Sequence, residues 1–191
     1  MSLEQLLSGP VLDAARGLLG RKLITTIGGD LTSVVILEVE AYSGEEDPAS
    51  HAFRGETPRN GAMFGPPGGL YVYRSYGIHW CMNVVCGPVG TARAVLLRGG
   101  TATEGIDVME RRRGRSINLT DGPGKLCQAL GVDGSLDGSN VFDGPATISG
   151  EPVAGSITAG RRIGITKAVE REWRFVLDPS QESGVGSQEP V

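Results

Sequence analysis

The chain has 191 residues, which fits one domain, and its formal net charge of −4 argues mildly against a nucleic-acid-binding protein. With 39% hydrophobic and 21% charged residues, 30 glycines and 11 prolines, the composition predicts a loop-rich α+β protein rather than a helical bundle. Three cysteines match neither a disulfide framework nor a paired zinc motif, and no apolar run approaches the roughly 20 residues of a membrane span, so we expect a cytoplasmic protein without a metal site.

The first predicted element is a helix over roughly residues 10–19. Apolar residues recur there at helical spacing, namely Leu12, Ala15, Leu18 and Leu19. Pro10 suits the first turn of a helix, and Gly20 is a typical residue at which a helix ends. One helix is therefore expected ahead of the first strand.

A β-hairpin is predicted next, with strands over 22–27 and 31–40 and a turn at 28–30. Because side chains alternate along a strand, four residues are expected to share one face: Val34, Ile36, Glu38 and Glu40. Two carboxylates on one face near a strand end can couple, so we expect the pKa of one of them to be raised.

Aromatic residues are concentrated in one stretch of the chain. Residues 40–83 contain seven of the ten aromatic residues, together with both histidines. Five arginines against one acidic residue in 51–100 interleave positive charge with these rings, a combination that suits a phosphate backbone and its bases. A chance fluctuation of surface charge is the alternative. Since Glu40 stands at the start of the stretch, the pattern predicts a site that grips a flat ring and activates a water beside it.

Within this stretch, 43–69 is predicted to be a long loop, because it is rich in proline and glycine. Loops of that length inside a compact domain are usually functional. Segments 71–74 and 80–86 then predict a second hairpin. Tyr76 and Ile78 lie near its tip, where bulky apolar side chains are poorly buried unless they insert into another molecule.

The remaining sequence predicts short elements. They are a strand at 94–98, a helix from 103 to 109 that runs into the basic run 111–115, a helix at 125–130, turns and short strands over 131–160, and a last strand at 173–177. The basic run 111–115 could hold phosphates or form a solvated helix end, and the glycine-rich start of the helix at 125–130 is a candidate phosphate site. The domain is expected to span 1–178, with a disordered tail at 179–191.

Residue types alone leave the chemistry of the aromatic stretch open. Glu40 could be a general base acting on a water held by Arg98 and His51, or it could be a surface carboxylate at a strand end. Tyr42, His51 and Tyr73 could wall a slot around a flat ring, or they could be strand aromatics that face a core. None of the three lysines lies in the stretch, so nothing there indicates an amine nucleophile for Schiff-base chemistry.

Longer motifs narrow this choice. In chain order they are Val39-Glu40-Ala41-Tyr42, His51, Thr57-Pro58-Arg59-Asn60, Met63-Phe64, Leu70-Tyr71-Val72-Tyr73, Tyr76-Gly77, Cys81-Met82-Asn83, Leu96-Leu97-Arg98 and Gly124-Lys125-Leu126-Cys127-Gln128-Ala129-Leu130. With them the chain strongly resembles the alkyladenine family of DNA glycosylases, also called 3-methyladenine or methylpurine DNA glycosylases. The resemblance covers roughly residues 10–177, nearly the whole domain.

The resemblance implies an α+β fold: a single compact domain around a curved antiparallel β-sheet, with a protruding β-hairpin and flanking short helices. It also implies base excision repair, in which the enzyme flips an alkylated or deaminated purine out of double-stranded DNA and hydrolyses its N-glycosidic bond. The product is an abasic site. The resemblance implies an enzyme without lyase activity that uses neither a metal nor an organic cofactor. We expect a monomer that works in the cytoplasm, at the nucleoid in a bacterium.

The resemblance further assigns roles to single residues. Glu40 matches the general base that activates water, and Arg98 and His51 match residues beside this carboxylate and its water. The residues that match walls stacking on the flipped base are Tyr42, His51 and Tyr73. Asn83 matches a pocket residue that disfavours bases carrying a 2-amino group.

The expected contacts with duplex DNA lie outside this pocket. Tyr76 matches the wedge that fills the space left by the flipped base, and the other expected contacts are Arg59, Ile78, His79 and Lys125.

Two alternative functions remain. A catalytically silent module of the same fold would bind damaged DNA without excision, and a hydrolase of free nucleosides would leave Tyr76 and the arginine-rich run without a task.

Overall fold

One curved antiparallel sheet of eight strands organises the computed structural model, which describes residues 1–180. The strands are β1 (Lys22–Ile27), β2 (Asp30–Ser43), β3 (Leu70–Ser75), β4 (His79–Cys86), β5 (Arg93–Glu104), β6 (Ala146–Ser149), β7 (Ser156–Gly160) and β8 (Arg174–Asp178). Their order is β3-β4-β5-β2-β1-β6, and β8 pairs with both β2 and β7. Pro179 and Ser180 form a turn after β8, and the rest of the predicted tail, 181–191, lies outside the described residues. The predicted α+β domain around a curved sheet is confirmed.

The helices in residues 1–180 are short. They are α1 (Leu3–Leu7), α2 (Val11–Leu18), α3 (Ile106–Arg113) and α4 (Pro123–Leu130). The helix predicted at 10–19 is confirmed as α2, whereas α1 was missed; Ser2 caps α1 by accepting the N–H of Gln5. α2 packs against β2 and β5, and α4 packs against β4 and β5. No helix among the described residues is long and apolar enough to cross a membrane.

The helix predicted from residue 103 is wrong at its start, because β5 continues through Glu104. Thr103 remains in the strand, where its hydroxyl lies 2.9 Å from that of Ser33 on β2. The chain then turns at Gly105 in the left-handed region (φ 67°), and a Cβ there would collide with the carbonyl oxygen of Leu31. α3 begins at the next residue.

Both predicted hairpins are confirmed. β1 pairs with β2 across a turn through Gly28 and Gly29. β3 pairs with β4 up to Ser75 opposite His79, so the turn between them contains Tyr76. The strands predicted at the positions of β5 and β8 are also confirmed, although β5 is much longer than expected.

A bulge in β2 changes the face to which its side chains point. Core residues are even-numbered before the bulge and odd-numbered after it: Val34, Ile36, Val39 and Ala41. The register against β5 shifts on both sides of Glu38, and such an extra residue reverses the alternation of a strand. Glu38 and Glu40 consequently point away from the core, and the prediction that they share a face with Val34 and Ile36 is wrong.

The long loop predicted at 43–69 is confirmed over 44–69, with two short 3-10 turns inside it, because β2 continues through Ser43. Asn60 orders this loop, because its buried amide nitrogen donates to the carbonyls of His51 at 3.0 Å and Gly55 at 3.2 Å. The loop packs on the sheet through a second apolar cluster of Ala52, Met63, Tyr71, Val85, Ala92 and Ala94. The main chain at His51 is thereby held against the sheet.

A buried ion pair joins this loop to the segment between β7 and β8. Arg162 donates from Nη2 to Asp47 Oδ1 at 2.9 Å, and its Nη1 donates to Asp47 Oδ2 and to the carbonyl of Ala41, the latter at 2.9 Å. Neither side chain of the pair is exposed to solvent. Because both charges have lost their hydration, each depends on the other for compensation.

The β3–β4 hairpin rests on α4 and on the turn that follows it. A Cβ on Gly124 would lie 2.8 Å from Cβ of His79, and a Cβ on Gly134 would lie 2.6 Å from the ring of Trp80. The start of β4 therefore packs directly on glycine backbone. The tip beyond it protrudes, and Tyr76 is 90% exposed.

The close approach of β5 to β2 allows a stability test. A Cβ on Gly100 would collide with the carbonyl of Val35, so Gly100→Ala should lower the free energy of unfolding by about 1–3 kcal/mol. Gly160→Ala is the matched control, because a Cβ on Gly160 meets nothing within 4 Å and should change stability by at most about 1 kcal/mol, in the favourable direction. Urea unfolding of the two variants measures both values. Equal urea midpoints for the two variants would contradict the close packing of Gly100 on β2.

The buried pair predicts a dependence of stability on pH. Burial alone would raise the pKa of Asp47, but the hydrogen bonds and charge of Arg162 outweigh burial and lower the pKa below its ordinary value of 3.8. Since the folded carboxyl is the stronger acid, its contribution is fully present above pH 3.8 and is lost as the pH falls below that value. Asp47→Asn leaves Arg162 unpaired and should cost about 3–5 kcal/mol at neutral pH.

Urea unfolding of wild type and Asp47→Asn between neutral and acid pH measures this effect. The difference in unfolding free energy should narrow as the pH falls toward 3. Asp143→Asn, at an exposed position, is the control and should stay close to wild type throughout. If the difference in unfolding free energy between wild type and Asp47→Asn does not change with pH, the carboxylate of Asp47 is not the stabilising group.

Candidate active site

A cavity of about 600 Å³ opens where the second half of β2, the β3–β4 hairpin and the segment after β7 meet. It is bordered by Tyr42, Tyr73, Asn83 and Ile163 from these parts and by Arg98 from β5. The volume lies in the range of sites that bind small molecules. Most of the site residues predicted from sequence are therefore brought together from distant parts of the chain, whereas Glu40, Ile78, His79 and Lys125 do not border the cavity themselves.

Glu40 lies behind the lining of this cavity: its side chain has no exposure to solvent, and the residues that bind it, Tyr42, Arg98 and Ile163, all border the cavity. Its Oε1 accepts the main-chain N–H of Ile163 at 2.7 Å and lies 3.1 Å from Nη1 of Arg98. Its Oε2 accepts the hydroxyl of Tyr42 at 2.8 Å. Three donors thus replace the hydration that the carboxylate loses on burial. The reading of Glu40 as a surface carboxylate is wrong.

Arg98 links the two carboxylates of β2. Its Nε donates to Oε1 of Glu38 at 2.8 Å while Nη1 contacts Glu40, and Arg174 donates to the same oxygen of Glu38 at 2.6 Å. Burial alone would raise the pKa of Glu38, but the hydrogen bonds from Arg174 and Arg98 outweigh it and lower the pKa. The prediction that coupling to the other carboxylate raises the pKa is therefore wrong for Glu38. The positive guanidinium of Arg98 lies between the two carboxylates and offsets their repulsion.

Aromatic rings form one wall of the cavity. Tyr71 and Tyr73 stack with centroids 5.3 Å apart, and the edge of His51 meets Tyr73 at 4.5 Å. Nδ1 of His51 lies 3.0 Å from the hydroxyl of Tyr71. Burial and then the positive charge of Arg59 lower the pKa of His51, so the imidazole is neutral at pH 7. Burial raises the pKa of Tyr71 to about 12, so its phenol is neutral as well.

His51 and Asn83 border the cavity at some distance from the carboxylate. The ring contacts of His51 are with Tyr71 and Tyr73, so among the described residues His51 is placed on the wall and not in a hydrogen bond with Glu40. Asn83 is 5% exposed, and its amide nitrogen donates to the carbonyl of Tyr71 at 3.1 Å. Both side chains are held in place by the same tyrosine.

Tyr42 forms the other aromatic part of the lining. The guanidinium of Arg162 lies 4.7 Å from the centroid of its ring, a cation–π distance. Burial and the charge of Glu40 raise the pKa of Tyr42, so its hydroxyl stays a donor to that carboxylate. The ring is therefore fixed by an arginine and its hydroxyl by a carboxylate.

The predicted DNA contacts gather around the mouth of the cavity and on the hairpin. Tyr76 and Arg59 border the cavity, and Arg59 donates to the carbonyl of Arg74 at 3.3 Å. Ile78 is 66% exposed at the hairpin tip. His79 packs on Gly124, next to Lys125 in the first turn of α4.

The basic run at 111–115 mostly makes contacts within the protein. Arg111 pairs with Asp107 at 2.9 Å, and Arg112 donates to two main-chain carbonyls. Arg113 donates to the side chain of Gln128 on α4. Arg112 and Arg113 thus fasten α3 to its neighbours, whereas Arg111, whose side chain is 62% exposed, and Arg115 match the solvated helix end; phosphate binding stays a prediction.

The segment after β7 also belongs to the site, although no residue of it was predicted from sequence. Ile163 supplies a main-chain donor to Glu40, Arg162 holds Tyr42, and Lys167 borders the cavity with its Nζ 6.0 Å from the ring of Phe53. The pair of arginines at 161–162 was the one available signal, because every residue other than proline offers a main-chain N–H. Within the described residues, the cysteines are free and buried, and no group of three metal-ligating side chains is found.

Comparisons with known proteins identify the family of this chain. The sequence profile of the methylpurine-DNA glycosylase (MPG) family matches residues 5–181. A protein of Agrobacterium fabrum named "Putative 3-methyladenine DNA glycosylase" is 51% identical over 172 residues, which cover 88% of this chain and 84% of that protein. Proteins with the same name from Rhodopseudomonas palustris (50% identical, 90% and 84% covered) and Mycolicibacterium fortuitum (47% identical, 93% and 94% covered) are also similar. With the family profile matching nearly the whole chain and the resemblance in its motifs confirmed, this protein belongs to the methylpurine-DNA glycosylase family.

Proposed function

We propose that this protein is a monofunctional DNA glycosylase. It flips an alkylated or deaminated purine out of duplex DNA into the cavity and hydrolyses the N-glycosidic bond with a water activated by Glu40. The observation that carries the proposal is a fully buried carboxylate that accepts hydrogen bonds from Tyr42 and Ile163 and pairs with Arg98. All three partners border a cavity walled by aromatic rings, with the exposed Tyr76 at its mouth. It acts as a monomer on DNA in the bacterial cytoplasm.

The walls of the cavity suit a flat base. Taking a base out of the duplex costs a few kcal/mol, and stacking on an aromatic side chain returns about 1–3 kcal/mol per base. Tyr42 and Tyr73 both border the cavity and are available as stacking partners. An alkylated purine that carries positive charge gains further from cation–π attraction to these rings, which favours it over an undamaged base.

Glu40 is suited to the role of general base. Its Oε2 accepts one hydrogen bond, from Tyr42, and a carboxylate oxygen has capacity for a second. Because the side chain has no exposure to solvent here, a water can donate that second bond only after a covering side chain moves aside. In the reaction the water oxygen bonds to the sugar C1′, its proton passes to Glu40, and the electrons of the broken bond pass to the purine nitrogen. A positioned general base contributes roughly 10²–10⁴-fold to the rate. His51 and Arg98 border the same cavity as donors to the water or the sugar phosphate.

Lyase activity would require an amine in reach of the sugar. Lys167 is the lysine that borders the cavity, but it is exposed and lies over the ring of Phe53. Amine nucleophiles are typically enclosed by apolar groups or placed beside another cation. The absence of that enclosure supports hydrolysis by water, and strand scission should therefore need alkali.

Glu40→Gln tests the proposed base. Single-turnover reactions on an end-labelled duplex with one hypoxanthine, followed by hot alkali, should show excision by wild type and a loss of about 10²–10⁴-fold in the variant. Binding to the same duplex should be retained, because glutamine keeps the shape of the side chain and Arg98 keeps its bond to Glu38.

Glu104→Gln is the matched control, since this carboxylate lies at the far end of β5 in an exposed pair with Lys22 and should leave the rate unchanged. Loss of binding in step with loss of excision would contradict the role of Glu40. If wild type binds the lesion, releases no hypoxanthine and releases no 3-methyladenine from alkylated DNA, the silent DNA-binding module replaces the glycosylase. Scission by wild type without alkali, with a covalent adduct trapped by borohydride, would make Lys167 a nucleophile instead.

Tyr76→Ala tests the proposed wedge. Because Tyr76 is 90% exposed, its truncation should leave the melting temperature unchanged. We expect single-turnover excision to fall by about 10-fold or more, since loss of a stacking contact is worth about 1–3 kcal/mol. Val89→Ala is the control and should match wild type, because Val89 is 67% exposed in the turn that follows the opposite end of β4. Equal rates for the two variants would remove Tyr76 from the flipping step.

A further inference from the structure

Glu40 is held partly by a segment that has no regular secondary structure of its own. Besides Arg98, the donor at Oε1 is the main-chain N–H of Ile163, 2.7 Å away, and this residue lies in the stretch between β7 and β8. The same stretch borders the cavity through Ile163 and Lys167. A main-chain donor can orient a carboxylate only as well as its own segment is fixed, so the anchor of this segment matters for the chemistry.

Arg162 is that anchor. It is the residue directly before Ile163, and its buried guanidinium donates to the carbonyl of Ala41 at 2.9 Å. Ala41 lies between Glu40 and Tyr42 on β2, so this bond ties the segment to the strand at the catalytic carboxylate. The two-pronged pair with Asp47 fixes the plane of the guanidinium.

The same guanidinium also supports a wall of the cavity. Its Cζ lies 4.7 Å from the ring centroid of Tyr42 and 5.2 Å from that of Trp173. Tyr42 in turn donates to Oε2 of Glu40. Arg162 therefore acts on both oxygens of the carboxylate, on one through Ile163 and on the other through Tyr42, without touching either.

We propose that Arg162 is a positioning residue for the glycosylase reaction, which fixes the donors that orient Glu40; this inference rests on the proposed function. A geometric error of about 1 Å at a reacting group can cost about 10²-fold in rate. Lysine keeps the charge but has no planar fork to bind Asp47 and Ala41 together. Arg162→Lys should therefore slow excision at saturating protein by about 10²-fold, while affinity for an undamaged duplex stays unchanged.

Arg171→Lys is the matched control. Arg171 approaches the same carboxylate of Asp47, at 3.8 Å, and the same ring of Trp173, at 4.6 Å, but its hydrogen bond is to the carbonyl of Glu46. It shares the surroundings of Arg162 without the links to Ala41 and Tyr42. Its replacement should change the excision rate by less than about 3-fold, well below the 10²-fold expected of a positioning residue.

The pH dependence of excision separates positioning from a general loss of structure. The ionisable groups that face Glu40 are Tyr42 on β2, Tyr73 on β3, Cys81 on β4, Arg98 on β5 and Arg162 itself. Of these, Tyr42 and Arg98 hydrogen-bond or pair with the carboxylate. When the Ile163 donor is loosened, the ionised carboxylate loses stabilisation, so the acid limb of the rate profile should move to higher pH in Arg162→Lys. Partial unfolding would lower the rate at every pH without moving that limb.

A double variant keeps the test independent of folding. Asp47→Asn combined with Arg162→Met leaves no unpaired buried charge, and replacement of both partners of a buried pair is often neutral for stability. A folded double variant that excises about 10²-fold more slowly supports positioning. Wild-type rates in this variant, or an unshifted acid limb in Arg162→Lys, would overturn it. If wild type itself excises no hypoxanthine or 3-methyladenine, the proposed function fails first, and the inference fails with it.

Discussion

The burial of one carboxylate constrains the rest of this structure. An ionised group taken out of water loses several kcal/mol of hydration, which fixed donors must replace. For Glu40 the donors come from three separate parts of the chain: its own strand, β5, and the segment after β7. The bulge in β2, the length of β5 and the path of the segment after β7 all serve to bring these donors to one point.

Arginine side chains compensate the buried carboxylates throughout the site. Arg98 and Arg162 each bind more than one acceptor with a planar fork, and both are held among carboxylates that burial would otherwise destabilise. Three of the acidic residues that make the chain negative are thereby compensated inside the protein: Glu38, Glu40 and Asp47. Net charge consequently says little about the mouth of the cavity, where Arg59 and Lys167 are exposed.

The hairpin combines a rigid base with an unsupported tip. His79 and Trp80 pack on the backbone of Gly124 and Gly134, and no larger residue could occupy those two positions without displacing them. Tyr76 has no such support and adopts a left-handed backbone conformation (φ 50°). Because the base of the hairpin is fixed, its main chain does not have to be ordered at the moment of contact, and only the exposed side chain loses freedom, which reduces the entropy lost on binding.

The sequence by itself determined what depends on neighbouring residues: α2, both hairpins, the long loop, and the cluster of aromatic residues around Glu40. Its ordered motifs also determined the family, because long motifs in series carry more information than any single residue. Tertiary structure alone decided that β2 reverses its alternation, that Arg162 pairs with Asp47, and that a main-chain N–H binds Glu40. The two contacts join residues that are 115 and 123 positions apart in the chain. In addition, almost every residue type has a main-chain N–H, so the sequence does not indicate which one binds Glu40.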